Sequence, residues 1–298
     1  MAQNFILSCC STVDMPYEEL EKRQISVLFY TYVIDGKEYE DNMGRDSKAL
    51  PFFYECIAQG KLPSTSQINA ARYTEYFEQL LQKGDVLHIT FSSGLTSGIN
   101  NAFLAAEDLR EKYPERKLMV VDSLCASSGY GMLVDALADL RDGGADIEEA
   151  AQWAMDHRLG MHHHFFSADL RYYRRTGRLS GPTAAIGTVL NICPLMCMDN
   201  GGHLKAYDKI RGKKAAIKAT VDEMEKHAQG GTDYDQRCYI CHSQCPEDAQ
   251  ALLTVVEERF PKLKGKVRIF DIGAIIASHT GPGTTSLFFF GDDRAAME

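Results

Sequence analysis

Residues 86–122 read VLHITFSSGLTSGINNAFLAAEDLREKYPERKLMVVD, and this stretch decides the fold class. Val86–Thr90 is a short apolar run next to a Gly-containing turn, the pattern of a buried strand. A Ser/Gly loop follows, then an amphipathic stretch over Ile99–Lys112, then a second apolar run ending at Asp122. Strand, loop, helix and strand make a βαβ unit, whose right-handed crossover sets the two strands parallel. Residues 92–98 and 122–131 then lie beyond the carboxyl ends of those strands, where open sheets bind ligands.

Outward from this unit, strand-like runs at residues 5–8 and 27–33 and a helical stretch at 70–82 extend the alternation toward the N-terminus. A helix at 147–158, opened by Asp146 after the Gly143-Gly144 break, marks a crossover between two halves. Beyond it the pattern changes: a strand at 163–167, a helix at 169–174, an apolar helix at 183–190, and a hairpin over 193–210 turning at Asn200-Gly201-Gly202. A helix at 212–228, a strand at 236–242, a helix at 246–259 and strands at 266–271 and 287–290 complete an α+β half. The expectation is an α/β protein of two domains: a parallel-sheet domain over residues 1–155 and a mixed α+β domain over 156–298, with the ligand cleft between them. At 298 residues the chain exceeds the size at which a single core usually stops growing.

Composition excludes some classes. A net charge of -9 argues against a nucleic-acid partner, which needs clustered Lys and Arg to neutralise phosphates. No apolar run reaches the roughly 18 residues of a membrane span, and the first ten residues carry no secretory signal, so the expectation is a cytoplasmic protein without stable membrane insertion. Nine cysteines, an odd number, read as reduced thiols rather than a disulfide framework. Cys238, Cys241 and Cys245, with His242, lack two facing ligand pairs and read as buried thiols rather than zinc ligands. His162-His163-His164 lie on a strand, where neighbours point to opposite faces and three cannot converge on one ion; solvated or interdomain histidines are expected, and no metal or cofactor.

The candidates for chemistry are few. There is no P-loop Lys, no G-x-G-x-x-G, no H-E-x-x-H and no G-x-S-x-G elbow. Ser92, Ser93, Thr96 and Ser97 either cap the following helix or, with its free N–H groups, hold a small anion such as a carboxylate. Thr65, in Leu62-Pro63-Ser64-Thr65-Ser66-Gln67, belongs to a loop or helix N-terminus and adds a hydroxyl. His279, in a polar loop after the apolar residues 272–276, either donates to an anion or holds the loop together. Arg171, Arg174, Arg175 and Arg178 form one basic cluster; Lys205, Lys209, Arg211, Lys213, Lys214 and Lys218 form a second. Each is either a solvated face or a surface that steers an acidic partner.

Taken together, seven motifs in order resemble the DegV family. Ser11-Thr12-Val13-Asp14-Met15-Pro16 is similar to its S-T-A-D-L-P, Leu62 to Gln67 to its P-x-T-S-Q, Ser92-Ser93-Gly94-Leu95 to its S-S-x-L, and Val121-Asp122-Ser123 with Ala126-Ser127 to its V-D-S…A-S. Gly177-Arg178-Leu179-Ser180, Lys209-Ile210-Arg211-Gly212-Lys213-Lys214-Ala215 and His279-Thr280-Gly281-Pro282-Gly283 follow. The resemblance implies a two-domain fold with a long-chain fatty acid between the domains, and a non-catalytic role as the acyl-binding subunit beside a fatty acid kinase. It further implies that Thr65, Ser93, Thr96, Ser97 and His279 meet the carboxylate and that Arg178 and Arg211 dock the kinase. The chain departs from the pattern at Cys10, where the family has an acid, and at Leu95-Thr96-Ser97-Gly98, where it has L-S-G-T. The alternative is a stand-alone hydrolase or transferase on a small acyl substrate, with Ser93 as nucleophile and His279 as base.

Overall fold

The computed structural model describes residues 4–167, 169–180 and 192–294. The first half runs β1 (Ile6–Cys10), α1 (Tyr17–Lys22), β2 (Ser26–Leu28), β3 (Thr31–Ile34), β4 (Lys37–Glu40), α2 (Ala49–Ala58), β5 (Ser64–Ser66), α3 (Ala70–Leu81), β6 (Val86–Thr90), α4 (Ile99–Lys112), β7 (Leu118–Asp122), α5 (Ser127–Asp142) and α6 (Ile147–His157). The second runs β8 (Met161–Ser167), α7 (Arg171–Thr176), β9 (Leu179–Ser180), β10 (Ile192–Met198), β11 (Leu204–Arg211), α8 (Lys213–His227), β12 (Cys238–His242), α9 (Pro246–Arg259), β13 (Arg268–Asp271), α10 (Ala274–Thr280) and β14 (Thr284–Phe290).

Four parallel strands form a sheet in the order β2-β1-β6-β7. The central strand β6 is buried at every position, as a strand covered on both faces must be. His88 sits in its middle because both ring nitrogens are used: Nδ1 lies 2.8 Å from the Ser8 hydroxyl and Nε2 3.7 Å from Cys10 Sγ. A second, mixed sheet has the order β13-β12-β14-β8-β10-β11-β9, with β10 and β11 as an antiparallel hairpin bulged at Leu195/Met196. The fold is therefore α/β, a parallel sheet beside a separate mixed one, as the pattern of elements predicts. Helix α5, buried along almost its whole length, packs on β1 from one side and on β8, β12 and β14 from the other. One large core thereby passes through both sheets, and a smaller cluster that includes Phe165, Tyr173, Met196 and Met198 lies beside it on the mixed sheet.

Three expectations change. The run at 27–33 is two strands in two sheets: β2 joins the parallel sheet, the chain turns at Phe29-Tyr30, and β3 pairs antiparallel with β4 and β5. An apolar run reads as one strand, but the Tyr30 N–H bonds Ser11 Oγ rather than a neighbouring strand. Thr65 lies on β5 rather than in a loop or at a helix start; α3 begins later, capped by Asn69 accepting from the Arg72 N–H. His279 stands in the last turn of α10, not in a loop, because Gly281 (φ 69°) ends the helix only two residues later. The apolar helix expected at 183–190 lies outside the described residues.

Candidate functional site

Between the carboxyl ends of β1 and β6 and the near face of the mixed sheet lies a cavity of about 940 Å³, counted to its open mouth. Its walls are mostly apolar, with Phe91, Leu95, Phe165, Met198, Ile275 and Phe288 among them.

At one place the polar groups converge. Thr65 Oγ1 and His279 Nε2 are 2.9 Å apart, and both residues line the cavity. Thr65 is held by β5, whose Thr65 faces Tyr32 of β3. His279 is held by α10, and α10 is fixed at its start by Asp14: the Gly273 N–H donates to Asp14 Oδ1 at 3.0 Å, and the Ser127 hydroxyl donates to Oδ2. The buried acid of the Ser-Thr-Val-Asp motif thus ties the end of β1 to the starts of both α5 and α10. Burial pushes its carboxyl well above the usual range, against the pull of the Ser127 bond. Arg175 completes the frame, donating to the carbonyls of Pro63 (3.0 Å) and Ser278 (2.9 Å) and so joining the segment before Thr65 to the residue before His279.

The electrostatics are one-sided. Burial pushes His279 down to about 4, helped by the nearby positive charges of Arg178 and Arg175, so the ring is neutral at pH 7. Its Nδ1 is buried without a hydrogen-bond partner among the described residues. Arg178, half-buried, lines the cavity. A neutral imidazole, a hydroxyl and a guanidinium around an apolar cavity suit an anionic head on an apolar body.

The other candidates separate. Thr96 lines the cavity, and its Oγ1 accepts from the Gly98 N–H at 3.1 Å, so it both shapes the loop and borders the site. Ser97 faces Gln67, whose Nε2 donates to its hydroxyl at 2.9 Å, and it is not among the lining residues. Ser93 is exposed and outside the lining; its N–H donates to Asp122 Oδ1 at 3.2 Å. The adjacent Ser92, not Ser93, is buried, donating to the Gly202 carbonyl at 2.8 Å and locking the β6–α4 loop against the turn of the hairpin. Arg211, exposed at the end of β11, does not reach the cavity. His162, His163 and His164 are buried rather than solvated, because α5 packs on one face of β8 and α8 on the other. His163 borders the cavity; its Nε2 accepts from the Ala126 N–H at 3.2 Å, which leaves Nδ1–H to donate to Met161 O at 3.0 Å. All nine cysteines are free and buried, Cys10 and Cys241 pushed up to about 12 by desolvation.

Sequence reasoning missed Arg175, left within a basic cluster, and Tyr173, a buried lining residue whose hydroxyl lies 3.0 Å from Thr284 Oγ1. Tyr173 and Arg175 sit two apart in a short basic helix, a pattern too common to have singled them out.

Compared with known proteins, residues 10–292 match the family model described as uncharacterised protein, DegV family. A DegV domain-containing protein of Clostridium perfringens is 35% identical over 98% of this chain and 99% of its own length. Among solved structures, a fatty-acid-binding DegV family protein of Thermus thermophilus superposes with a TM-score of 0.84 at 26% identity, covering 97% of this chain and 99% of that one. The fatty acid kinase B3 protein of Streptococcus pneumoniae, loaded with linoleic acid, shares the fold with a TM-score of 0.81 at 21% identity, covering 97% and 100%. No helix among the described residues is long and apolar enough to cross a membrane.

Proposed function

Because the chain belongs to the DegV family, we propose that it binds a long-chain fatty acid in the cavity between its parallel and mixed sheets, with the carboxylate at Thr65 and His279. The observation that carries the reading is the Thr65–His279 pair beside Arg178 at an otherwise apolar cavity. With Nε2 protonated, His279 donates to Thr65 Oγ1, and the Thr65 hydroxyl proton is free to donate to the carboxylate. Thr96 borders the same site, and Arg178 supplies the counter-charge that a neutral imidazole lacks. The acyl chain gains about 0.8 kcal/mol for each methylene buried.

We infer further that the protein is a non-catalytic, cytoplasmic carrier that presents the carboxylate to a fatty acid kinase, which makes the acyl phosphate. Support comes from the motifs around Arg178 and Arg211; Arg211, exposed, suits docking, whereas Arg178, at the cavity, suits the carboxylate or its phosphorylated product. Ser93 and Ser97 stand away from this head-group arrangement and drop to supporting roles in the loop. The division into residues 1–155 and 156–298, with the ligand between, is part of the same reading. The hydrolase alternative has less support: His279 bonds Thr65 rather than Ser93, and arginines rather than a carboxylate stand near its ring.

Mass spectrometry of an organic extract of natively purified protein tests the reading. One equivalent of a fatty acid is expected, and delipidated protein should rebind it. Protein that carries none and takes up none from a panel of saturated and unsaturated acids contradicts the proposal.

A further inference from the structure

On the side of β8 away from the cavity, three histidines gather for which fatty acid binding has no use. His162 and His164 share that face because strand neighbours two apart point the same way. His227, from the last turn of α8, stacks on both rings, with centroids 5.2 and 6.3 Å away, and Phe289 of β14 stacks on His162 at 5.0 Å. The chain leaving β14 then brings in Asp292. Its Oδ1 lies 3.1 Å from His162 Nε2 and 3.1 Å from His227 Nδ1. Gly291 makes the approach possible: a Cβ there would stand 2.4 Å from the His227 carbonyl and 2.8 Å from the His162 ring.

We propose that His162 Nε2, His227 Nδ1 and Asp292 Oδ1 form a binding site for a divalent first-row metal ion, of the zinc class. Two imidazole nitrogens and one carboxylate oxygen are a recurrent three-ligand set with the fourth position open to water. At metal–ligand distances of about 2.0–2.2 Å, the edges of a tetrahedron are about 3.3–3.5 Å; the two 3.1 Å separations need a slight opening, and all three ligand atoms lie within 4.8 Å of one another, so a small turn of the imidazoles closes the set.

The neighbours supply what ligating histidines require of their other nitrogen. His162 Nδ1 lies 3.4 Å from His164 Nε2, and His164 Nδ1 lies 3.2 Å from the Tyr207 hydroxyl. A proton on His162 Nδ1 can donate to His164, whose own Nδ1–H donates to Tyr207. His227 Nε2 stands 3.7 Å from Glu223 Oε2, one turn back on α8. Without metal, His162 Nε2–H donates to the Asp292 carbonyl at 2.9 Å, and the tautomer changes when metal binds. Asp292, with its side chain 47% exposed, gives the ion its path from solvent. Bound metal would clamp the end of α8, the start of β8 and the segment after β14.

Full-length protein is treated with a chelator, dialysed, and titrated with Co²⁺ and Zn²⁺. One equivalent should bind, with the intense visible absorption of four-coordinate Co²⁺, displaced by Zn²⁺. Asp292→Asn and His227→Gln should each weaken binding at least 100-fold, while retaining metal-free circular dichroism and fatty acid uptake. Zn²⁺ should raise the melting temperature of the parent and not of Asp292→Asn. Absence of one-equivalent binding, equal affinity in Asp292→Asn, or a thiolate-to-cobalt band placing the ion on the cysteines would overturn the proposal. Should His227→Gln fail to fold, Asp292→Asn, altered at a half-exposed carboxylate, decides alone.

Discussion

Thr65 and His279 are 214 positions apart and meet at 2.9 Å. The sequence names both residue types and their motifs, but only the tertiary frame of Asp14 and Arg175 brings them together. The same limit explains Ser93: adjacent serines in a turn face opposite ways, and nothing in Ser92-Ser93 says which is buried. Thr65→Val keeps the shape and removes the hydroxyl, and fatty acid affinity should fall by about 5- to 150-fold, the cost of a lost hydrogen bond to a charged group, about 1–3 kcal/mol. Unchanged affinity would remove Thr65 from the site. Arg178→Ala bears on two claims. Without that positive charge the His279 pKa, about 4 in the parent, should rise when followed by NMR of the imidazole, and acyl affinity should drop. Kinase-dependent phosphorylation lost with acyl affinity intact would return Arg178 to a docking role.

At the scale of elements, strong period and strong caps were legible and weak strands were not. The βαβ unit, the hairpin and α6, whose Asp146 and Glu149 form a capping box, follow from pattern alone. The small sheet of β3, β4 and β5 did not, since β4 is Lys-Glu-Tyr-Glu, largely exposed and without alternating hydrophobicity. Its one signal was Asp35-Gly36, both at positive φ (52° and 78°), a dipeptide that favours a two-residue hairpin turn. Loop geometry has its own constraint at Gly202, where φ is 72° and a Cβ would stand 2.1 Å from Ser92 Oγ. Gly202→Ala should lower the melting temperature and, by displacing the loop that carries Leu95 and Thr96, weaken fatty acid binding. A variant with parental stability and affinity would show that this lock is dispensable.

For the molecule as a whole, the fold class and the βαβ alternation were readable, but α5 was not: its first residues, Ser127 to Gly131, read as part of the polar loop at 122–131, so the helix and the continuity of the core through it stayed hidden. Stability carries an acid of unusual cost. Asp41 is buried, its Oδ2 has no partner among the described residues, and desolvation pushes its carboxyl up to about 7. A folded-state pKa raised above the unfolded value of about 3.9 means stability present at low pH and lost progressively as pH rises to about 7. Asp41→Asn removes that dependence, so its melting temperature relative to the parent should be more favourable at pH 8.5 than at pH 5.5. An identical difference at both values would show that Asp41 titrates normally.

The residues bordering the cavity run from Thr12 to Phe288. A chain still emerging from the ribosome therefore has no place for an acyl chain until nearly the last strand, β14, is free to pair. On the proposed function, ligand capture is in this sense the final step of synthesis. A fatty acid at hand at that moment would reward only completed chains, so that lipid supply could set how many newly made copies survive proteolysis.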